Sequence, residues 1–481
     1  MIKKKKNIIL ILVFGIILFI SYKNYILNNG FGSGDDISNL IFIGKTDGSL
    51  IETFTSSYFN STNITRPIST LLKVLTFKIF QENLILYNLT SFLTWFTIIL
   101  ILSISVKKIF GNITRLIFII LGSFPFFSSI IFFENYLFTS YMASILFWSI
   151  SLLFMIKYSE KKSTSNLILG TLFLILSILT LEYVIPLLIL NLLIPIINFY
   201  KSDVQKKYNL KSIFKEHKFI QIILLVILLF LIFKFLSVRI FFKNESVYGF
   251  AFNGLDSFLQ SAYFFIMIII ELPILLFKTL FYISEIKYAL IFCMLLIFYL
   301  NLSKNQINYV PIKLYKNYFF YAFILSLISC LIIYFLSFYP ATSYGYYNRM
   351  TLPSFILLTI LISVIFQKMI ASKKLVNIFF VIVISFLWLS SLNIQIDNFV
   401  KSWNIRKDIL NKVSEQTKKV ENFTDKILIL NAPYYLSNNY NNEPVFFTTW
   451  NLRSHFYLLN KKKLLAWPIS HRIISDKNYY P

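Results

Sequence analysis

An all-α polytopic membrane protein with a small α/β domain at its C-terminal end is what the sequence predicts, and three observations predict it. Hydrophobic residues make up 57% of the 481-residue chain, and its mean hydropathy is +0.70. Apolar runs approaching or exceeding the length that crosses a bilayer, about 18 residues, recur along most of the chain. Beyond Leu392 the runs stop and the composition turns polar, with two short strand-like stretches, 426–430 and 445–450.

The first run, 7–28, follows Lys3 to Lys6 and has no small-residue cleavage site behind it, so it reads as a retained membrane helix with its lysines in the cytoplasm. Further runs fall at 85–106, 115–133, 136–156, 166–181, 183–199, 219–237, 258–283, 288–302, 318–338, 351–367 and 375–393. Lysine-bearing loops at 107–108, 157–162, 201–218, 304–316 and 368–374 are cytoplasmic by the positive-inside rule. The external connections are then 29–84, Glu134-Asn135, Glu182-Tyr183, 238–257 and 339–350. This parity requires one run not to cross. The run 258–283, interrupted by Glu271 and Pro273, is read as a re-entrant or interfacial segment. About eleven crossings remain, in a domain 1–394 whose first external loop is 29–84, followed by a small external soluble domain, 395–481.

A formal charge of +25 would suggest nucleic acid in a soluble protein. Here much of the basic excess sits in short loops between apolar segments, where it sets orientation, and no nucleic-acid partner is expected. Cys293 and Cys330 both lie inside apolar runs and read as packing residues. His217, His455 and His471 are scattered, so no metal site is expected, although dependence on a divalent cation stays open. Gly30-Phe31-Gly32-Ser33-Gly34 lacks the lysine of a phosphate-binding loop and reads as a flexible lead-in to Asp35-Asp36.

Ionisable groups at a membrane edge are costly unless paired or hydrated, which makes each a functional candidate. Asp35, Asp36, Asp47, Glu52, Arg66, Glu134, Glu182 and Arg349 all map to the external side. Adjacent residues at a helix start diverge by about 100°. One of Asp35 and Asp36 then faces substrate while the other caps the helix, or both simply solvate a loop. Pro67 starts a segment running to Phe80, which leaves Arg66 to cap a surface helix or to face the cavity. Glu182 is either a water-exposed hairpin tip or a cavity carboxylate orienting Arg66 or Arg349, with Tyr183 beside it, and Glu134 has the same two readings. Arg349 enters a late helix behind Tyr346, Tyr347 and Asn348. It binds phosphate with the tyrosines offering flat faces to sugar or lipid, or it snorkels within an interfacial aromatic belt.

An acidic pair just outside the first membrane helix, Arg66-Pro67 later in the same loop, Glu182-Tyr183 at a hairpin tip and Asn348-Arg349 entering a late helix together resemble the GT-C class of integral-membrane glycosyltransferases. The similarity is nearest to the bacterial glucosyltransferases that modify O-antigen and other surface glycans. The resemblance spans the embedded part of the chain. It implies a polyprenyl-phosphate-linked sugar as donor, a hexosyl or pentosyl group moved with inversion to a hydroxyl of a glycan, glycolipid or protein, and no nucleotide site. It further implies Asp36 or Asp35 as base, and Arg349 and Arg66 on the donor phosphate. Glu182, Glu134, Tyr183, Asn348, Tyr346 and Tyr347 would support them. The setting is then the bacterial cytoplasmic membrane, with a synthase and a flippase supplying the donor.

A lipid-linked sugar or polysaccharide transporter is a competing reading, but few charges fall at mid-membrane depth and no internal repeat is seen. An O-antigen polymerase or ligase is another, and the short loop 339–350 argues against it. In the C-terminal region Trp450, Arg453, His455 and Trp467 either touch an acceptor glycan or form a small core.

Overall fold

The computed structural model describes residues 2–30, 43, 48–59, 66–81, 83–194, 218–241, 255–304, 314–331, 334, 346–417, 427–431, 440 and 465–469. Helices dominate them: α1 (Ile2–Asn28), α2 (Leu50–Phe59), α3 (Pro67–Phe80), α4 (Leu84–Phe110), α5 (Asn112–Gly122), α6 (Ile130–Phe133), α7 (Tyr141–Lys161), α8 (Thr164–Thr180), α9 (Lys218–Phe241), α10 (Leu255–Ile266), α11 (Leu272–Thr279), α12 (Ile286–Lys304), α13 (Leu314–Ser329), α14 (Leu352–Ala371) and α15 (Leu375–Thr417). Six segments among the described residues are long and apolar enough to cross a membrane: Leu84–Phe110, Leu137–Lys161, Phe258–Thr279, Ile286–Ser303, Asn348–Ala371 and Leu375–Lys412. The chain is a multi-pass helical membrane protein. Apolar helices too short for that criterion, such as Thr164–Thr180 and Glu182–Ile194, accompany them.

α7 packs on α8 and α4, α5 on α4 and α14, and α15 gathers α1, α11 and α12. The α7–α8 pair can approach closely because Gly170 has no side chain: a Cβ there would meet Met155 at 3.1 Å. The Ser151 hydroxyl donates to the Gly170 carbonyl at 2.7 Å across the same contact. Small residues at a helix–helix seam serve the same purpose throughout membranes, where packing replaces the hydrophobic effect.

Three expected elements take a different form. The run 115–133 is not one helix, because α5 ends at Gly122 and Pro125, lacking an N–H, cannot extend it. The carbonyls freed at this break are met by side chains. Trp95 Nε1 donates to Gly122 O at 3.1 Å, Trp388 Nε1 to Leu121 O at 3.1 Å and Phe124 O at 2.9 Å, and the Tyr22 hydroxyl to Ser123 O. Irregular backbone at membrane depth survives only with such replacements.

The run 258–283 is not interrupted either: Met267–Glu271 form a π turn that joins α10 to α11. Pro273 follows directly on the π turn, whose wider hydrogen-bond spacing accommodates a ring that would clash in a regular α-helix. Its helix is therefore long enough to cross, which removes the reason to read it as re-entrant. Finally, the change of composition after Leu392 does not end a helix. α15 runs on to Thr417, straight through the expected domain boundary at 394/395. The segment 394–417 contains neither Gly nor Pro, and its polar residues Gln395, Asn398, Ser402 and Arg406 are buried, so the turn to polarity carries the helix onward against the rest of the protein.

Beyond α15, β1 (Ile427–Asn431) pairs in parallel with β2 (Leu465–Ile469), with Ile427 opposite Leu465. β1 overlaps the expected strand 426–430 and lies one residue further on. The expected strand 445–450 and its Trp450, Arg453 and His455 lie outside the described residues, and β2, which holds Trp467, was not foreseen.

Candidate active site

Three short segments, each at a helix end, meet beside the start of α7. Arg66 precedes α3 with φ −128° and ψ 58°, and Pro67 occupies the first helical position, as its fixed φ favours. Arg66 makes no cap with its side chain. It reaches instead to Glu182, donating from Nε to Oε2 at 3.0 Å and from Nη2 to Oε1 at 2.8 Å. This is the fork-on-fork geometry that makes an arginine–carboxylate pair directional as well as strong.

Glu182 opens the 3-10 turn Glu182–Leu187, placed there because α8 stops at Thr180 and Leu181 is extended. Its neighbour Tyr183 stacks on Tyr141, with ring centroids 5.6 Å apart and planes 17° from parallel. Tyr141 begins α7, and the Arg349 guanidinium sits over its ring at 5.9 Å. Arg349 belongs to the 3-10 turn Tyr346–Thr351 that leads into α14. Burial works to lower the Arg66 pKa, but the Glu182 carboxylate outweighs it, so the net shift is upward and Arg66 remains a cation. Among the described residues the cluster holds two guanidinium groups, the Glu182 carboxylate and two stacked phenols with flat aromatic faces. That combination suits an anionic group carried on a sugar or lipid.

The structure thus brings Arg66, Glu182, Tyr183 and Arg349 together. Glu182 is not a water-exposed tip, being only 5% exposed, and Glu134 is wholly buried where α6 gives way to the 3-10 turn Asn135–Thr139. Asn348 supports the turn that carries Arg349. Its Oδ1 accepts from the Ile130 N–H at 3.1 Å, and its Nδ2 donates to Ser129 Oγ at 3.3 Å. Thr351 completes the clamp by donating to Phe127 O at 2.7 Å. The Arg349 turn is thereby pinned to the break behind α5.

Tyr346 and Tyr347 lie in the same turn, but their side chains are outside the described residues. Asp35, Asp36 and Asp47 are also outside them. Glu52 belongs to a capping box, accepting from the Ser49 N–H at 2.7 Å while Ser49 Oγ accepts from its own N–H at 3.3 Å, so it has a structural role at the start of α2. Tyr141 was missed by sequence reasoning. It lies in an apolar stretch, and only the approach of three distant segments marks it out. Among the described residues, no group of three or more His, Cys, Asp or Glu could hold a metal ion.

No family model and no curated protein matches the chain. Among solved structures it is similar to ArnT from Cupriavidus metallidurans in the apo state, at 11% identity and a TM-score of 0.35, with 95% of this chain and 85% of that one covered. The class of protein stated by the chain itself is a multi-pass helical membrane protein with a buried arginine–glutamate–tyrosine cluster where helices break.

Proposed function

We propose that the protein is a GT-C-type membrane glycosyltransferase. It moves a monosaccharide from a polyprenyl-phosphate donor to a hydroxyl of a surface glycan, glycolipid or protein, with inversion. The single observation that carries this reading is Arg349, seated on the Tyr141 ring beside the Arg66–Glu182 pair. A planar, permanently charged guanidinium matches the oxygens of a phosphate ester.

In the reaction the acceptor oxygen attacks the anomeric carbon as the bond from that carbon to the phosphate oxygen breaks. The electron pair leaves with the polyprenyl phosphate, whose growing charge Arg349 stabilises. Glu182 holds the Arg66 fork in place as a second, fixed positive wall. The acceptor proton passes to a carboxylate within hydrogen-bond reach, the role assigned to Asp36 or Asp35. Tyr141 and Tyr183 offer the sugar or the first isoprene unit a flat surface. The protein would work in a bacterial cytoplasmic membrane with its N-terminus inside and its site outside, fed by a synthase and a flippase.

The test is transfer in vesicles that hold the purified protein and a radiolabelled polyprenyl-phosphate sugar. Addition of one sugar per acceptor is the expected product, and Asp35→Asn or Asp36→Asn abolishes it without loss of protein. Translocation of the donor with no transfer would replace this reading with a transporter, and chain growth with a polymerase. Repeating the assay in chelator decides whether a divalent cation takes part.

A further inference from the structure

Tyr440 lies beyond the end of α15, in the part of the chain that sequence reasoning assigned to a separate external domain, yet it is 1% exposed. Its ring meets Tyr282 edge-on at 5.2 Å and carries the Lys278 ammonium 5.6 Å from its centroid. Lys278 also donates to the Tyr440 carbonyl. The Tyr440 hydroxyl is sunk between two helices, 2.9 Å from Leu275 O and 2.6 Å from Thr279 Oγ1 on α11, and 2.8 Å from Ser391 Oγ on α15.

Ser391 leads onward. One turn along α15, Gln395 Nε2 donates to Ser391 Oγ at 3.4 Å and to Phe126 O at 2.7 Å, and Gln395 is itself fully buried. The Gln395 Oε1 accepts from the Ser129 hydroxyl. Ser129 Oγ in turn accepts from Asn348 Nδ2, and Asn348 adjoins Arg349. An unbroken buried chain therefore runs Tyr440, Ser391, Gln395, Ser129, Asn348, and ends at the turn that carries the phosphate-binding candidate. Buried polar chains of this kind polarise one another and specify one arrangement, because each member left without its partner is costly.

We propose that Tyr440 is a positioning residue for Arg349: seating its hydroxyl between α11 and α15 fixes Gln395, which fixes Ser129 and Asn348, which set the guanidinium over Tyr141. The proposal rests on the reading of Arg349 as a phosphate ligand. It makes the C-terminal region part of the site's scaffold, so that a change in that region is felt where the donor binds.

The experiment measures binding of tritiated polyprenyl monophosphate to the full-length protein in detergent, alongside its melting temperature. Tyr440→Phe removes one oxygen and keeps the ring, and is expected to weaken binding about three- to tenfold, the range of couplings carried through packed networks. Ser391→Ala should weaken it similarly and, being a cut in the same chain, should add nothing to Tyr440→Phe in the double variant. Ser151→Ala, which loosens the α7–α8 seam outside this chain, should lower the melting temperature and leave binding within about twofold. Unchanged binding in Tyr440→Phe, additive losses in the double variant, or an equal loss in Ser151→Ala would each overturn the proposal. If the unmodified protein binds and Arg349→Gln binds equally well, the phosphate reading itself fails and the proposal falls with it. A Tyr440→Phe protein that does not fold leaves Ser391→Ala, with Thr279→Val, to decide on the same criterion.

Discussion

The two ends of α7 carry the same kind of interaction and use it differently. At its start Tyr141 lies beside the Arg66–Glu182 pair, in which two hydrogen bonds join a side chain 25% exposed to one 6% exposed. At its far end, roughly 30 Å away at 1.5 Å per residue, Lys108 meets Glu160 through a single contact, with exposures of 30% and 41%. Arginine in one pair and lysine in the other accounts for two bonds against one. The backbone around them differs as well. At the Tyr141 end three 3-10 turns, Asn135–Thr139, Glu182–Leu187 and Tyr346–Thr351, turn the chain back into protein and bring charges with it. At the Lys161 end α4 and α7 run regularly to their last turns, and the lysines there can lie along the helices toward water. Burial with a fixed partner is the arrangement a binding site needs, and a solvated pair is what a helix end tolerates.

The largest effect that would sharpen this contrast is expected at Arg349. Arg349→Gln should lower glycosyl transfer by about 10²- to 10³-fold, the range seen when a preorganised charge-stabilising group is removed. Lys108→Gln should leave transfer unchanged. Equal losses in the two variants would mean that the Tyr141 end has no special part in chemistry.

Next comes Glu182→Ala, which strands the Arg66 guanidinium in a partly buried place. Breaking a buried pair from one side costs about 3–5 kcal/mol, and the quarter exposure of Arg66 lowers the expectation to about 2–3 kcal/mol. Denaturation in detergent micelles measures it. Glu182→Gln should cost less, because an amide oxygen still accepts from the fork. A cost below about 0.5 kcal/mol for Glu182→Ala, the level of an ordinary surface change, would put the two ends of α7 on the same footing.

A third variant probes the break that makes the Tyr141 end irregular. Trp388→Phe keeps most of the packing and withdraws the N–H from the Leu121 and Phe124 carbonyls. A buried acceptor left without a donor costs about 1–3 kcal/mol. The expected loss lies in the lower half of that range, since Trp95 still holds Gly122 O nearby. Stability unchanged in Trp388→Phe would show that the break needs no such seal.

How far the sequence could be read follows the same division. Regular helices announce themselves: 85–106 became Leu84–Phe110 and 166–181 became Thr164–Thr180, because an apolar run in a bilayer has no better way to satisfy its backbone. The start of α3 at Pro67 was also legible, from a proline that cannot sit deeper in a helix. The broken segments were not. Nothing local in 115–133 says that Trp95 and Trp388, remote in sequence, will supply donors to a chain that stops being helical. Composition was no guide to the helix end at α15 either, where the polar residues that follow Leu392 stay in the same helix, several of them buried. Of the site, the charged members could be picked out because ionisable groups are rare in such a chain. Tyr141 could not, since one tyrosine among 30 is marked only by what three other segments bring to it.

The smallest expected effect is at the other end of α7, and it is the sharpest test of the comparison. Glu160 sits near the C-terminal end of its helix, where the exposed carbonyls disfavour a negative charge, while Lys108 sits in the last turn of α4, where they favour a positive one. Glu160→Gln therefore loses its attraction to Lys108 and gains relief from the helix dipole, and the two nearly cancel. Lys108→Gln loses both favourable terms, but each is screened by the solvent that reaches these side chains. A double-mutant cycle on Lys108 and Glu160 should give a coupling of about 0.2–0.5 kcal/mol that shrinks as salt is added. The same cycle on Arg66 and Glu182 should give about 1.5–3 kcal/mol with little response to salt, as the charge-assisted bonds of a mostly buried carboxylate require. Should the two couplings agree in size and in salt dependence, the enclosure by 3-10 turns would have no energetic consequence, and the difference between the ends of α7 would be one of appearance.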